Sequence, residues 1–226
     1  DANPAFTISY SGFKNNETAS VLDSAPAASS AATVTSNVGT YPISVSGGQD
    51  NNYSFSYTAG TLTINKATLA VTADNKARLY GDANPALTIS YTGFKNSEGA
   101  SVIDTAPSVT TTAVATSNVG TYPITAAGGA DNNYSFTYTA GTLTVNKAEL
   151  TATADNKSRG YGEANPAFTI SYLGFKNTET ASVIDTPPTG STTATLTSAV
   201  GTYPISVSGG TDNNYTFTYA SGTLTI

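Results

Sequence analysis

A tandem repeat with a period of 81 residues constrains this chain more than any other feature of its sequence. The motif Tyr-Gly-Asp-Ala-Asn-Pro at residues 80–85 returns as Tyr-Gly-Glu-Ala-Asn-Pro at residues 161–166, and the chain opens on the last four residues of a third copy at residues 1–4. A long fixed period indicates an array of similar structural units. A unit of this length is large enough to form a small domain with its own hydrophobic core.

The period divides the chain into repeat one (residues 1–66), repeat two (67–147) and repeat three (148–226). Repeat one contains no counterpart of residues 67–81, so it should lack its first strand, and the neighbouring strand should expose unpaired backbone groups. We expect residues preceding Asp1 in the native protein to complete this repeat, because repeat three also stops short of its Asn-Lys junction. The alternative is a strand from another molecule, which would make the chain a subunit of a fibre.

Short alternating segments predict strands throughout each repeat. In repeat two, Leu87, Ile89 and Tyr91 fall on one face of a strand, with threonine and serine on the other face. We therefore predict an all-β fold with three tandem antiparallel β-sandwich (Ig-like) repeats of 81 residues. Residues 96–104 are the one stretch with helical character, and Asn96 could cap it. The alternative fold is therefore a row of β-grasp-like units with one short helix each.

Two further expectations concern packing. The last strand of repeat one reaches the first strand of repeat two through residues 65–68, which contain no glycine or proline. A linker that short should restrain its neighbours, so we expect the repeats to form an elongated rod. Within repeat two, Phe136 lies between Tyr134 and Tyr138 on one strand face, and we expect it to be the most buried aromatic side chain of that repeat.

Composition argues against several classes of protein. The chain has no cysteine and no histidine, which removes the usual transition-metal ligands and most nucleophile–base pairs. Its net charge of -6 argues against nucleic acid as a partner, because nucleic-acid binding needs a basic face. No apolar run is long enough to insert in a membrane.

The distribution of functional side chains argues against an enzyme. All 14 tyrosines and all nine basic residues recur in register with the repeat. An active site is usually a single asymmetric set of chemically distinct residues. A chain that offers the same residues in every repeat is better explained by a structural role, so we predict that it is not an enzyme.

Acidic turns supply the one candidate for metal binding. Asp50, Asp131 and Asp212 each begin an Asp-Asn-Asn turn that could offer oxygen ligands to calcium. Calcium requires six to eight oxygen ligands, which one such turn cannot supply. Asx residues also favour turns through their own hydrogen bonds. We therefore predict no cofactor and keep calcium as the alternative.

The loops that carry the repeated motif supply the candidate binding surface. Tyr80 and Asp82 in repeat two correspond to Tyr161 and Glu163 in repeat three. An exposed aromatic ring beside a carboxylate could stack on a sugar and bind its hydroxyls. Packing of these tyrosines across the junction between repeats is the simpler interpretation.

These motifs resemble the MBG domain family of the YGX type. The resemblance rests on the segments at residues 69–74, 80–85, 119–124, 133–136 and 141–145, and it extends over the whole chain with repeat one truncated. Members of this family occur in tandem in very large bacterial surface proteins. The resemblance implies a secreted, adhesin-like array at the bacterial cell surface, and it transfers no catalytic residue.

Together these observations favour a structural stalk or spacer segment of a secreted bacterial surface adhesin or surface fibre. The alternative is a multivalent module whose repeats each bind a glycan or protein weakly, with affinity gained through avidity. The predicted partners are the neighbouring repeats of the same chain, with host or matrix glycans, host proteins or identical subunits as candidates. Exposed Tyr80 and Tyr161 would favour the binding module, and buried tyrosines would favour the stalk.

Overall fold

A computed structural model describes residues 1–226 as an all-β chain. The helical content is limited to three 3₁₀ turns of three residues each, one per repeat: Ala19–Val21, Ala100–Val102 and Ala181–Val183. The predicted all-β class and tandem repeats are confirmed. The short helix of the β-grasp alternative is present only as the 3₁₀ turn Ala100–Val102 within residues 96–104. Asn96 does not cap a helix, since it and Ser97 adopt left-handed φ angles of 54° and 61°.

The strands number 17 in all. Repeat one contains β1 (Ser24–Ser30), β2 (Gly39–Gln49) and β3 (Gly60–Ile64). Repeat two contains β4 (Ala67–Ala73), β5 (Lys76–Leu79), β6 (Ile89–Thr92), β7 (Ser108–Thr111), β8 (Gly120–Ala127), β9 (Tyr134–Thr139) and β10 (Gly141–Asn146). Repeat three contains β11 (Ala148–Ala154), β12 (Lys157–Ser158), β13 (Ile170–Leu173), β14 (Thr189–Ser191), β15 (Thr202–Ser208), β16 (Tyr215–Ala220) and β17 (Gly222–Thr225).

Packing divides the chain into two compact units, and the division crosses repeat two. The first unit holds residues 1–71, 91–108 and 127–137, and the second holds residues 72–90, 109–126 and 138–226. The first unit therefore contains the junction between repeats one and two. The second unit contains the junction between repeats two and three, together with all of repeat three.

Repeat three shows the full architecture of a repeat. One sheet has the strand order β13-β11-β16 and the other has the order β12-β17-β15-β14. Alternation along β11 places Leu150 and Ala152 in the core and leaves threonine and glutamate between them less buried. Ile205 and Leu224 from the second sheet join Ala152 in one buried cluster, so the two inner faces form the hydrophobic core.

The first and last strands of repeat three pair in parallel in both sheets. In one sheet β11 pairs with β16, and in the other β12 pairs with β17. The pairs β11–β13, β15–β17 and β14–β15 are antiparallel. The sheets are thus mixed instead of wholly antiparallel as predicted. Alternation of apolar and polar residues indicates a strand and its buried face, but it does not specify the partner strand.

The first and last strands both pass from one sheet to the other at the same level, so they are paired in parallel in each sheet. The first strand crosses at Asp155 and Asn156, and the last crosses just before Gly222. The Asn156 Oδ1 atom accepts a hydrogen bond of 2.7 Å from the Thr223 amide at this bend. A Cβ atom on Gly222 would lie 2.3 Å from the Ala154 carbonyl oxygen, so only glycine fits.

Repeat one forms a single sheet with the order β1-β2-β3. In repeat three the sheet β13-β11-β16 is organised around β11. Repeat one has no counterpart of β11, and its residues 53–58 are not in a strand. Pro26 and Ala32 are the only buried residues of this repeat. Ile43 and Leu62 are half-buried, whereas their counterparts Ile124 and Leu143 are fully buried.

The most buried aromatic residue of repeat two is Tyr134 at 3% exposure, whereas Phe136 is half-buried. The expectation for Phe136 was therefore wrong. Tyr134 can be buried because its hydroxyl donates a hydrogen bond to the Glu98 carboxylate and accepts one from the Lys95 amide. A buried phenol that keeps its hydrogen bonds avoids the cost of an unpaired polar group.

Substitution of the glycine at the sheet crossing tests this architecture. In repeat two, a Cβ atom on Gly141 would lie 2.3 Å from the Ala73 carbonyl oxygen. Gly141→Ala should therefore lower the free energy of unfolding by about 1–3 kcal/mol through overpacking. Gly99→Ala is the matched control, because no atom lies within 4 Å of the added methyl group. Urea unfolding measures the stability of both variants, and equal unfolding midpoints would contradict the close approach of Gly141 to Ala73.

Candidate functional site at the repeat junctions

The linkers between repeats are fixed to the repeat that follows. Lys147 in the second linker donates its ammonium to the Asp212 carbonyl oxygen at 2.6 Å, and the Ala148 amide donates to the Asn214 carbonyl at 3.0 Å. In the first linker, Lys66 donates to the Asp131 carbonyl at the same distance. Each linker therefore lies against the Asp-Asn-Asn turn of the next repeat.

The aspartates of these turns hold the turns together. Asp212 is buried, and its Oδ1 atom accepts the amides of Asn214 and Tyr215 at 2.7 and 2.9 Å. Asp131 does the same in repeat two, and Asp50 accepts the corresponding amides in repeat one. The chain contains no group of three or more acidic, histidine or cysteine side chains that could hold a metal ion. The Oδ1 atom of each calcium candidate thus accepts two backbone amides of its own turn.

One asparagine of each turn connects two repeats. The Asn214 Oδ1 atom accepts a hydrogen bond of 2.9 Å from the Val119 amide, and its Nδ2 donates to Asn118 at 3.2 Å. In the first unit, the Asn133 side chain accepts a hydrogen bond from the Val38 amide and donates one to Asn37, at the same two distances. The two junctions are therefore built from the same contact.

A left-handed turn presents a glutamate at each junction. Asn177 and Thr178 have φ angles of 51° and 60°, and the Glu179 amide closes the turn by donating to the Lys176 carbonyl at 2.9 Å. This turn directs both the Lys176 amide and the Glu179 carboxylate to the hydroxyl of Tyr215, at 2.8 and 2.6 Å. The phenol of Tyr215 is thereby held with both hydrogen bonds satisfied.

Tyr80 from repeat two completes the site in repeat three. Its hydroxyl donates to the second oxygen of Glu179 at 2.5 Å, and its ring meets the ring of Tyr215 edge-on at 5.6 Å. Beside it, the Lys176 ammonium lies 2.9 Å from the Asp82 carboxylate. Gly81, with a φ angle of 79°, packs so closely on Lys176 that a Cβ atom would lie 2.3 Å from its side chain. Only glycine satisfies both the conformation and the contact.

Burial and charge both act on the two phenols. Desolvation raises the pKa of Tyr80 and of Tyr215, and hydrogen bonds to the Glu179 carboxylate raise it further. A charged phenolate at this position would be repelled by the carboxylate and would lose its donor role. The junction therefore requires both tyrosines in the neutral form.

The four residues of the candidate binding surface have different environments. Tyr80 is buried at 4% exposure and Asp82 pairs with Lys176, whereas Tyr161 is 66% exposed and Glu163 accepts the Gly160 amide. These counterparts therefore do not form one surface repeated along the chain.

Sequence reasoning missed the residues of repeat three that form the second junction, namely Lys176, Glu179 and Asn214. The signal was present, because Lys-Asn-x-Glu and Asp-Asn-Asn-Tyr recur in register in all three repeats. In repeat one the same set appears as Tyr53 donating to Glu17 and accepting the Lys14 amide.

The fold and the junctions together define a tandem-repeat β-protein whose successive repeats are joined through packed, hydrogen-bonded contacts. The chain belongs to the MBG domain family (YGX type), whose model matches residues 1–63, 69–144 and 150–225. This family is found in adhesin-like surface proteins. Comparison with curated proteins gives no significant match. None of the helical turns approaches the length and apolarity that a membrane-spanning helix needs.

Tyr80→Phe tests the junction with a matched control in the same chain. Loss of the hydroxyl leaves one oxygen of the half-buried Glu179 carboxylate without its donor, which should cost about 1–3 kcal/mol of stability. Tyr161→Phe removes the same atom from an exposed position and should change stability by less than about 0.5 kcal/mol. Thermal unfolding measures both. Equal losses of stability in the two variants would show that the hydrogen bond from Tyr80 to Glu179 does not stabilise the protein.

Alkaline pH should weaken the same junction. Because the folded-state pKa of Tyr215 and Tyr80 is raised, their contribution is fully present below the ordinary tyrosine pKa of about 10 and is lost as pH rises through the folded-state values. Unfolding free energy from denaturant titrations should therefore begin to fall near pH 10 and decline further as pH rises. Tyr80→Phe should reduce the size of that fall, and an unchanged fall would contradict the assignment.

Proposed function

We propose that this chain is a stalk or spacer segment of a secreted bacterial surface adhesin or surface fibre, which holds a distal binding region away from the cell. The observation that carries the proposal is the burial of Tyr80 from repeat two against Tyr215 and Glu179 of repeat three. A contact of this kind restrains the angle between two repeats, which a spacer requires. Residues committed to the junction are also unavailable to a ligand.

The path of the chain through repeat three supports the same proposal. The start of β11 at Ala148 lies beside the start of β16 at Tyr215, and the end of β17 at Thr225 lies beside Ser158 in β12. The chain thus enters the repeat at one end and leaves it at the other. Tension applied through the termini of this repeat acts along the paired strands, so the hydrogen bonds between them resist it together.

The burial of Tyr80 favours the spacer over a multivalent binding module. Avidity requires the same exposed site in successive repeats. Tyr80 and Asp82 are engaged within the second unit, and only the counterparts Tyr161 and Glu163 are exposed. A packed junction therefore explains the residues at 80–85 better than a weak ligand-binding site repeated at this motif does.

Distance measurements across the second junction test the proposal. Because the chain has no cysteine, spin labels can be placed at two exposed sites, with Val114→Cys in repeat two and Leu196→Cys in repeat three. We expect one narrow distance distribution between the labels, because both lie in the second unit. The combined changes Tyr80→Ala, Lys176→Ala and Asn214→Ala should broaden the distribution while both repeats stay folded.

Tyr161→Ala is the matched control and should leave the distance distribution narrow. A broad distribution in the unmodified chain would contradict a spacer role, because the repeats would then be flexibly tethered. Binding of glycans by the unmodified chain, abolished by Tyr161→Ala, would instead support the multivalent module.

A further inference from the structure

The strand that leaves repeat two lies between two strands that are both attached to repeat three. This strand, β10, pairs with β5 on one side and with β8 on the other. We infer that the second junction is a mechanical lock, in which these attachments keep β10 from being drawn out of its sheet under tension. The inference rests on the proposed spacer role, in which tension passes from one repeat to the next.

The covalent path between the two repeats is short. β10 ends at Asn146 and β11 begins at Ala148, so Lys147 alone connects them. Lys147 is itself held to repeat three, because its ammonium donates to the Asp212 carbonyl oxygen at 2.6 Å. Tension that arrives through repeat three therefore acts directly on the end of β10.

Such tension would shear β10 along its own axis against both neighbours. β5 runs parallel to β10, and Leu79 lies opposite Asn146 at the end where β10 leaves the sheet. β8 runs antiparallel, and Gly120 lies opposite Val145 at the same end. The hydrogen bonds of a ladder run between the strands, so a pull along β10 loads them together. β10 can slide only if β5 and β8 stay behind while it moves towards repeat three.

β5 is prevented from staying behind by the residues that follow it. Tyr80 comes directly after β5, and its amide donates to the Asn146 carbonyl at 2.8 Å. Its hydroxyl donates to Glu179 of repeat three at 2.5 Å. The Lys176 ammonium of repeat three also lies 2.9 Å from the Asp82 carboxylate. These contacts carry the end of β5 in the same direction as β10.

β8 is attached to repeat three at its first residues. Val119 comes directly before β8, and its amide donates to the Asn214 Oδ1 atom at 2.9 Å. The Asn214 Nδ2 atom donates to Asn118 at 3.2 Å. Because the attachments lie on both sides of β10, it cannot slide past either neighbour until they break. The load is thus shared between the ladder of repeat two and the side chains of the junction.

Repeat three supplies a matched comparison within the same chain. Its last strand, β17, lies between β12 and β15 in the arrangement that β10 has between β5 and β8. The counterparts of Tyr80 and Val119 are Tyr161 and Val200, and both are exposed. The two repeats therefore present the same ladder with and without the attachments. Repeat two should accordingly resist tension longer than repeat three.

Force spectroscopy of the full chain, held by its two ends at constant force, tests the inference. Unfolding of a repeat of 81 residues releases roughly 270–290 Å of extended chain. Forced unfolding is governed by the unfolding rate. We expect two long steps with different rates, of which the slower comes from repeat two.

Substitutions in the junction assign the slower step. Tyr80→Phe and Asn214→Ala should each raise its rate about fivefold or more, because each removes a hydrogen bond that attaches a neighbour of β10. Tyr161→Phe is the matched control and should change neither rate, because its side chain is exposed.

The direction of the pull separates load sharing from simple stabilisation of repeat two. Val102 is exposed in the turn between β6 and β7, and the chain has no cysteine, so a handle can be attached at Val102→Cys. A pull between this handle and the amino-terminal end draws β6 from β4 and does not load β10. Tyr80→Phe should then change the unfolding rate of repeat two by less than about twofold.

Three results would overturn the inference. They are equal rates for the two long steps, an unchanged slower rate in Tyr80→Phe, and an equal acceleration by Tyr80→Phe in both pulling directions. The last would show that the junction stabilises repeat two without sharing its load. A narrow distance distribution between the spin labels, together with any of these results, would overturn the mechanical lock alone and leave the spacer proposal standing.

Discussion

The carboxylate of Glu179 accepts two tyrosine hydroxyls, one from each of two successive repeats, and the second junction depends on that shared acceptor. Both phenols are buried, so each would lose stability if its hydroxyl lacked a partner. The left-handed turn before Glu179 places the carboxylate between them, and Asn214 closes the other side of the junction through the Val119 amide. Packing and polar contacts thus specify one arrangement of the two repeats.

The same arrangement depends on how each repeat is built. Because the first and last strands run parallel and cross between sheets together, the motif that follows β5 emerges at the end of the repeat next to its neighbour. Gly141 and Gly222 permit that crossing at close range. A change in the strand pairing would move Tyr80 away from the turn that receives it. At the second junction, the fold of the repeats and the contact between them therefore depend on each other.

The sequence was sufficient to predict the repeat, the strands and the all-β class, because these follow from periodicity and alternation. It did not predict the parallel pairs, since the alternation of apolar and polar residues does not specify which strands pair. It also misjudged the turn at Asn96, where two left-handed residues replace a helix cap. The flanking tyrosines predict Phe136 as the most buried aromatic residue, yet Tyr134 is more buried because Glu98 accepts a hydrogen bond from its hydroxyl. Contacts between residues far apart in sequence decided the strand pairing and the burial of Tyr134.

Hydrogen exchange at two matched amides tests the central claim, that side chains couple repeats two and three. The Val119 amide donates to Asn214 across the junction, whereas Val200, its counterpart in repeat three, is exposed and makes no such contact. If the junction is stably packed, the Val119 amide should exchange slowly, with an opening free energy close to that of core amides, and the Val200 amide should exchange rapidly. Rapid exchange at both amides would contradict the account.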